Sequence, residues 1–205
     1  MTTIIVDYGQ GNLGSIQNML ARLGYQSHIS SDPAEVAASQ RLILPGIGAF
    51  DTAMVELDSR GLREPLVQRA IDAKVPTLGI CLGAQLMTKG SEEGSLPGLG
   101  WFDAETVAFK FTAEERLPVP NIGWRDVRAA HGSTLISGLD EARYYFVHSY
   151  YMRTSADNPD TALYSDYGHS FVCGFQRDNL YSAQFHPEKS HKFGFHFLKA
   201  FMHAP

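Results

Sequence analysis

The sequence predicts an α/β fold: a doubly wound, mostly parallel sheet with helices on both faces and a strand-rich second half. Three observations predict it. Short apolar runs alternate with helical patterns through the first half, the rhythm of a parallel sheet. From Trp101 the pattern turns strand-rich, with Gly and Pro at the turns. Between the two, an apolar run ends at Gly79-Ile80-Cys81-Leu82-Gly83 and a helix-compatible stretch follows, which reads as strand, sharp turn and helix.

Taken in order, residues 3–7 are a short apolar run with no basic region before it, so they read as a first strand and not a signal peptide. A helix is expected over 12–23, strands over 26–30 and 41–44, helices within 49–58 and 62–73, and a strand over 75–80. Strands are then expected at 107–109, 144–148, 163–165, 171–175 and 180–185, with an amphipathic helix over 193–201. No repeat, low-complexity segment or linker interrupts the chain, so residues 1–205 read as one domain. The loops after parallel strands share one edge, which brings residues 7–12, 45–50 and 81–85 together at the strands' C-terminal ends.

Composition narrows the function classes. A chain of 205 residues, 44% hydrophobic, can bury one substantial core. Its net charge of −5 and lack of a basic cluster speak against nucleic acid. Two cysteines make no disulfide framework, and an active thiol fits a reducing compartment. No stretch approaches the ~20 apolar residues of a membrane span. A cytoplasmic protein is expected.

Cys81 lies between two glycines at the start of a helix. The glycines allow a strained turn and close substrate approach, and the helix N-terminus favours a thiolate. It is the cysteine counterpart of the nucleophile elbow. His186 ends the strand-like run 180–185 and is the candidate base. Glu188, two residues on, would share one face of extended chain with it and hold its tautomer. Cys173, inside an apolar run, reads as a small buried hydrophobe.

Gly79 to Gln85, Pro45 to Phe50 and Gln184 to Glu188 resemble the three signatures of class I, triad-type glutamine amidotransferases. The resemblance runs over essentially the whole chain. Asp7 to Asn12, Ser91 to Glu93, Tyr145 to Tyr150 and His186 to Ser190 are similar, within that class, to the glutaminase subunits of imidazole glycerol phosphate synthase. The resemblance implies a subunit of a heterodimer in histidine biosynthesis. It would hydrolyse L-glutamine through a cysteine thioester and pass ammonia to a separate cyclase that forms imidazole glycerol phosphate and AICAR. The oxyanion donors would be the Leu82 N–H and one from the Gly46-Ile47-Gly48 loop, whose glycines permit a peptide flip. Gln85, Glu93 and the Ser149-Tyr150 backbone would hold the substrate's amide, ammonium and carboxylate, with Gly48 beside them. Asn12, Asn121, Trp124, Tyr145 and Lys189 would line the docking face. The chain has no phosphate-binding loop, metal cluster or second domain, so no cofactor or metal is expected and the ammonia acceptor must be another protein.

Two positions depart from the family pattern. Asn121 stands where His is usual in a P-H-x-G-W motif, and Ala84 where Met is common. Asn121 keeps open a paralogous glutaminase feeding a sugar-amidinating enzyme of surface-polysaccharide synthesis. Further alternatives are a stand-alone cysteine hydrolase and a non-catalytic binding module.

Overall fold

The computed structural model describes residues 2–114, 116–130 and 132–205. Five parallel strands form one side of its sheet: β1 (Thr3–Val6), β2 (Ser27–Ser30), β3 (Arg41–Gly46), β4 (Thr77–Cys81) and β11 (Leu180–Ala183), in the order β2-β1-β3-β4-β11 from the edge. The sheet continues through antiparallel β10 (His169–Arg177), β9 (Thr161–Tyr167), β6 (Asn121–Ala129) and β7 (Arg143–His148). The short strands β5 (Glu105–Ala108) and β8 (Tyr150–Arg153) pair with each other, and β8 joins β10.

Alternation along the parallel strands divides the core. Ile5, Ile43, Leu78 and Ile80 face α1 (Leu13–Arg22) and the closing helix α6 (His191–Met202), while Ile4, Val6, Leu42 and Leu44 face the opposite layer. α1 presents Ile16, Met19 and Leu20, and α6 presents Phe197, Leu198 and Phe201, each set at i, i+3 or i+4 spacing. The other layer holds α3 (Phe50–Ser59), α4 (Arg63–Val67) and α5 (Leu82–Leu86). No described helix is long and apolar enough to cross a membrane.

Several details differ from the sequence reading. The helix expected over 62–73 is α4 followed by one π turn at Gln68–Asp72. α2 (Pro33–Ala37) was not expected. Asp32 caps it through the Ala34 N–H (2.8 Å) and Pro33 opens it, but five residues with only Val36 buried leave no apolar period to detect. β6 also lacked a signal, because Asn121 and Val127 are its only buried residues. Partners on both sides, β7 and β9, make it a strand.

The register sets the site. Gly46 at the end of β3 lies beside Cys81 at the end of β4, and Ala183 of β11 lies beside Ile80. Three strand ends therefore meet on one edge, as the crossover rule requires.

Candidate active site

Cys81 has φ +53° and ψ −110°, a conformation that a non-glycine residue adopts only under tertiary constraint. The constraint is close packing of α5. A Cβ at Gly83 would stand 1.7 Å from the Leu44 carbonyl oxygen, and one at Gly79 would meet Met87 Sδ at 2.7 Å and Gly83 O at 2.8 Å. Both glycines are thus required sterically, at a position where backbone meets backbone. Gly83→Ala is expected to push α5 off β3, lowering stability by about 1–3 kcal/mol and displacing the thiol. Urea unfolding and a glutaminase assay on the same preparation check both effects.

His186 is 2% exposed and its Nδ1 lies 2.7 Å from Glu188 Oε1. Their geometry is not the shared face of a strand. His186 is extended, and Glu188 sits in the 3₁₀ turn Pro187–Lys189, which bends its carboxylate back to the ring. Nε2 is buried without a hydrogen-bond partner, which leaves it for the Cys81 side. Burial by itself lowers the His186 pKa, but the Cys81 thiol and Glu188 carboxylate outweigh it and raise it to about 10. The ionised sulfur and carboxylate on its two sides both favour a charged ring. The ring's backbone is also fixed: His186 N–H donates to Tyr145 O (2.9 Å), and Ser190 Oγ donates to His186 O (2.6 Å) while accepting from Tyr145 N–H (3.0 Å).

Cys81 and His186 open into a cavity of about 320 Å³, also lined by Ile47, Gly48, Leu82, Gln85, Glu93, Ser149 and Tyr150. The volume suits a small polar ligand. Gln85 Nε2 donates to Tyr150 O (3.2 Å) and to Gln184 Oε1 (3.1 Å). With both amide hydrogens used, Gln85 offers a ligand only its oxygen, an acceptor for an N–H group. Gln184 Nε2 in turn approaches Cys81 Sγ at 3.7 Å. Glu93 Oε2 accepts from the Phe50 N–H (2.9 Å) and so caps α3, whose Ala49 N-cap has no side-chain acceptor. Glu92, its neighbour, instead accepts from the Ala108 N–H (3.0 Å).

Gly46 was expected among the oxyanion donors, but it does not line the cavity. Fully buried Tyr8 donates to the Pro45 carbonyl (2.6 Å), and a Cβ at Gly46 would meet the Tyr8 hydroxyl at 2.0 Å. The Pro45–Gly46 peptide is pinned, so freedom in this loop belongs to Ile47, 48% exposed, and to Gly48, with φ +108°.

Trp124, Tyr145 and Lys189 do come together, with the Lys189 ammonium 6.0 Å from the Tyr145 ring centroid and Trp124 edge-on to Tyr145. His191, stacked on Trp124 at 5.7 Å, was not anticipated. Asn12 is exposed at the start of α1. Asn121 is fully buried and cannot meet a partner directly; its amide pairs with His148 (3.0 Å). His148, Pro120 and Val147 line the cavity unforeseen. His148 had stood only within the Tyr145–Tyr150 motif, with nothing local to mark it as pocket-facing. Cys173 is wholly buried, and burial pushes its thiol pKa well up. Among the described residues, no three His, Cys, Asp or Glu side chains are placed to hold a metal ion.

Residues 4–204 match the family Glutamine amidotransferase class-I. An imidazole glycerol phosphate synthase subunit HisH 2 of Methanococcus maripaludis is 43% identical over 97% of each chain, and one of Pseudomonas aeruginosa is 42% identical over 97% of this chain and 98% of the relative. PurLQS of Thermotoga maritima, 12% identical, shares the fold with a TM-score of 0.71 over 98% of this chain and 97% of that one. The chain belongs to the class I glutamine amidotransferase family.

Proposed function

We propose that the chain is the glutaminase subunit of imidazole glycerol phosphate synthase, releasing ammonia from L-glutamine for a cyclase in histidine biosynthesis. The observation that carries the chemistry is the approach of Cys81 and the Glu188-bound His186 at one small cavity. The name of those relatives, a subunit of that synthase, supports the pathway. Cys81 attacks the side-chain carbonyl of glutamine, and the oxyanion takes hydrogen bonds from the Leu82 N–H and the Ile47–Gly48 segment. His186 gives its proton to the departing amine, leaving a thioester. Neutral His186 then takes a proton from water as the water oxygen adds to the acyl carbon, and the C–S bond breaks to give glutamate and the Cys81 thiolate. Gln85 accepts from a substrate N–H, Glu93 faces the ammonium, and the Ser149–Tyr150 backbone takes the carboxylate.

Ammonia is protonated in water and lost as a nucleophile, so its release serves an acceptor docked close by. The aromatic and basic cluster of Trp124, Tyr145, Lys189 and His191 provides that face. Tyr145 is bonded through its backbone to His186 and Ser190, so docking reaches the base by one peptide. A heterodimer follows.

The free chain is expected to be a poor glutaminase. Cyclase and its nucleotide substrate should raise turnover by roughly 10²–10³, the worth of one oxyanion donor. A coupled glutamate assay measures this, and complementation of a histidine auxotroph lacking its glutaminase tests the pathway. Full activity of the chain alone would favour a stand-alone hydrolase. Activation by a sugar-amidinating enzyme and not the cyclase would favour the polysaccharide paralogue.

A further inference from the structure

A continuous chain of hydrogen bonds runs from the half-buried Arg125 to the cavity wall, and its polarity is fixed at both ends. Arg125 Nε lies 3.1 Å from Asn121 Oδ1, Asn121 Nδ2 lies 3.0 Å from His148 Nε2, and His148 Nδ1 lies 2.7 Å from Tyr150 O. A guanidinium can only donate, so the Asn121 oxygen must face Arg125 and its NH₂ must face His148. His148 Nε2 must then accept and carry no proton. At the other end a backbone carbonyl can only accept, so His148 Nδ1 must bear the hydrogen. Arg125 therefore dictates, through one amide, a neutral Nδ1–H tautomer of a histidine in the cavity wall. That N–H and the Gln85 NH₂ share the Tyr150 carbonyl, the group that poses Gln85.

We infer that Arg125, Asn121 and His148 form a positioning relay that keeps His148 neutral and thereby holds the Tyr150 carbonyl and Gln85 in place for substrate. In its reference to glutamine the inference rests on the proposed glutaminase reading. The surroundings agree with it. The His148 ring is packed by Phe109, Phe146 and Phe171, and the charged groups facing it are Arg125 from β6 and His186 beyond β11. Burial, with those two cations and against the pull of the Tyr150 carbonyl, pushes its pKa down to about 4. A second imidazolium there would oppose the charge on His186.

The relay also sets which side chains position 121 can hold. A neutral imidazole, like a primary amide, carries both an acceptor and a donor, so either can pass the polarity of Arg125 to His148. Asp has the size of Asn but cannot donate when ionised. It would accept from Arg125 and from a proton on His148 Nε2, converting His148 to imidazolium.

Nitrogen NMR of the full chain labelled with ¹⁵N-histidine, together with glutamine kinetics in the presence of the synthase partner, tests this. In the parent protein at neutral pH, His148 Nε2 should be unprotonated. Asn121→Asp should protonate it and raise the KM for glutamine about tenfold, a change of one hydrogen bond's size, with a smaller effect on kcat. Asn121→His should keep Nε2 unprotonated and the KM within about threefold of the parent. If the buried Asp prevents folding, Arg125→Met serves instead, since it frees the Asn121 amide to turn over and should raise the His148 pKa. A protonated Nε2 in the parent protein would overturn the relay. So would Asn121→Asp, or Arg125→Met in its place, leaving both the His148 proton and the KM unchanged. Should the parent hydrolyse no glutamine while the NMR pattern holds, the relay stands and the glutaminase reading falls.

Discussion

Cys81→Ala is expected to abolish glutamine hydrolysis, a loss on the order of 10⁴-fold or more, because no other thiol lines the cavity to accept the acyl group. The fold and partner binding should survive. The change removes one sulfur at a turn, worth about 1 kcal/mol of burial, and the strained backbone at φ +53° is held by Gly79 and Gly83, which remain. Thermal melting and a binding assay with the cyclase check that half of the expectation. A glutamine-like electrophile should label Cys81 and leave Cys173 untouched, since Cys173 is fully buried and its thiol pKa is raised. Hydrolysis by Cys81→Ala at the parent rate would remove the thioester from the mechanism.

His186→Ala and Glu188→Gln should both be damaging, but unequally. Loss of the imidazole removes proton transfer in both half-reactions, and a decrease of about 10³–10⁴ in kcat is expected. Glu188→Gln leaves a ring that chooses its own tautomer and retains measurable turnover. The pH profile separates the two roles further. His186 is raised from 6.5 to about 10, with the Cys81 and Glu188 side chains overcoming burial, so it keeps its proton until the pH climbs through that value. Its contribution to stability is accordingly full below 6.5 and lost as pH rises through about 10. Glu188→Gln removes one of the raising partners and should move the alkaline limb of kcat/KM toward neutrality. An unmoved limb would mean that Glu188 neither holds nor charges the ring. Another histidine closer to the acyl carbon in a trapped thioester would reassign the base.

The parallel half of the fold was legible because its elements bury whole faces. Ile4, Val6, Leu42 and Leu44 face one layer and Ile5 and Ile43 the other, and the helices between them repeat their apolar residues at helical spacing. The nucleophile was legible for a related reason. Gly79 and Gly83 are required by contacts within a few residues of Cys81, or with the adjoining strand, so the constraint leaves a compact mark. His186 and Glu188 were legible as a local pair, although the 3₁₀ turn that joins them was not.

What the sequence by itself determined is thus the set of features whose causes lie close along the chain: the alternation of strand and helix, the glycine-flanked thiol, and the histidine with its neighbouring carboxylate. The tertiary structure alone decided the rest. It removed Gly46 from the cavity by setting Tyr8 against it from 38 positions away, and it buried Asn121 between Arg125 and a histidine 27 positions along. It likewise turned Glu93, one of two adjacent glutamates, into the cap of a helix that begins 43 positions earlier. Each depends on a polar group meeting a partner that only the tertiary fold brings within reach, and no local pattern of residues corresponds to such a meeting.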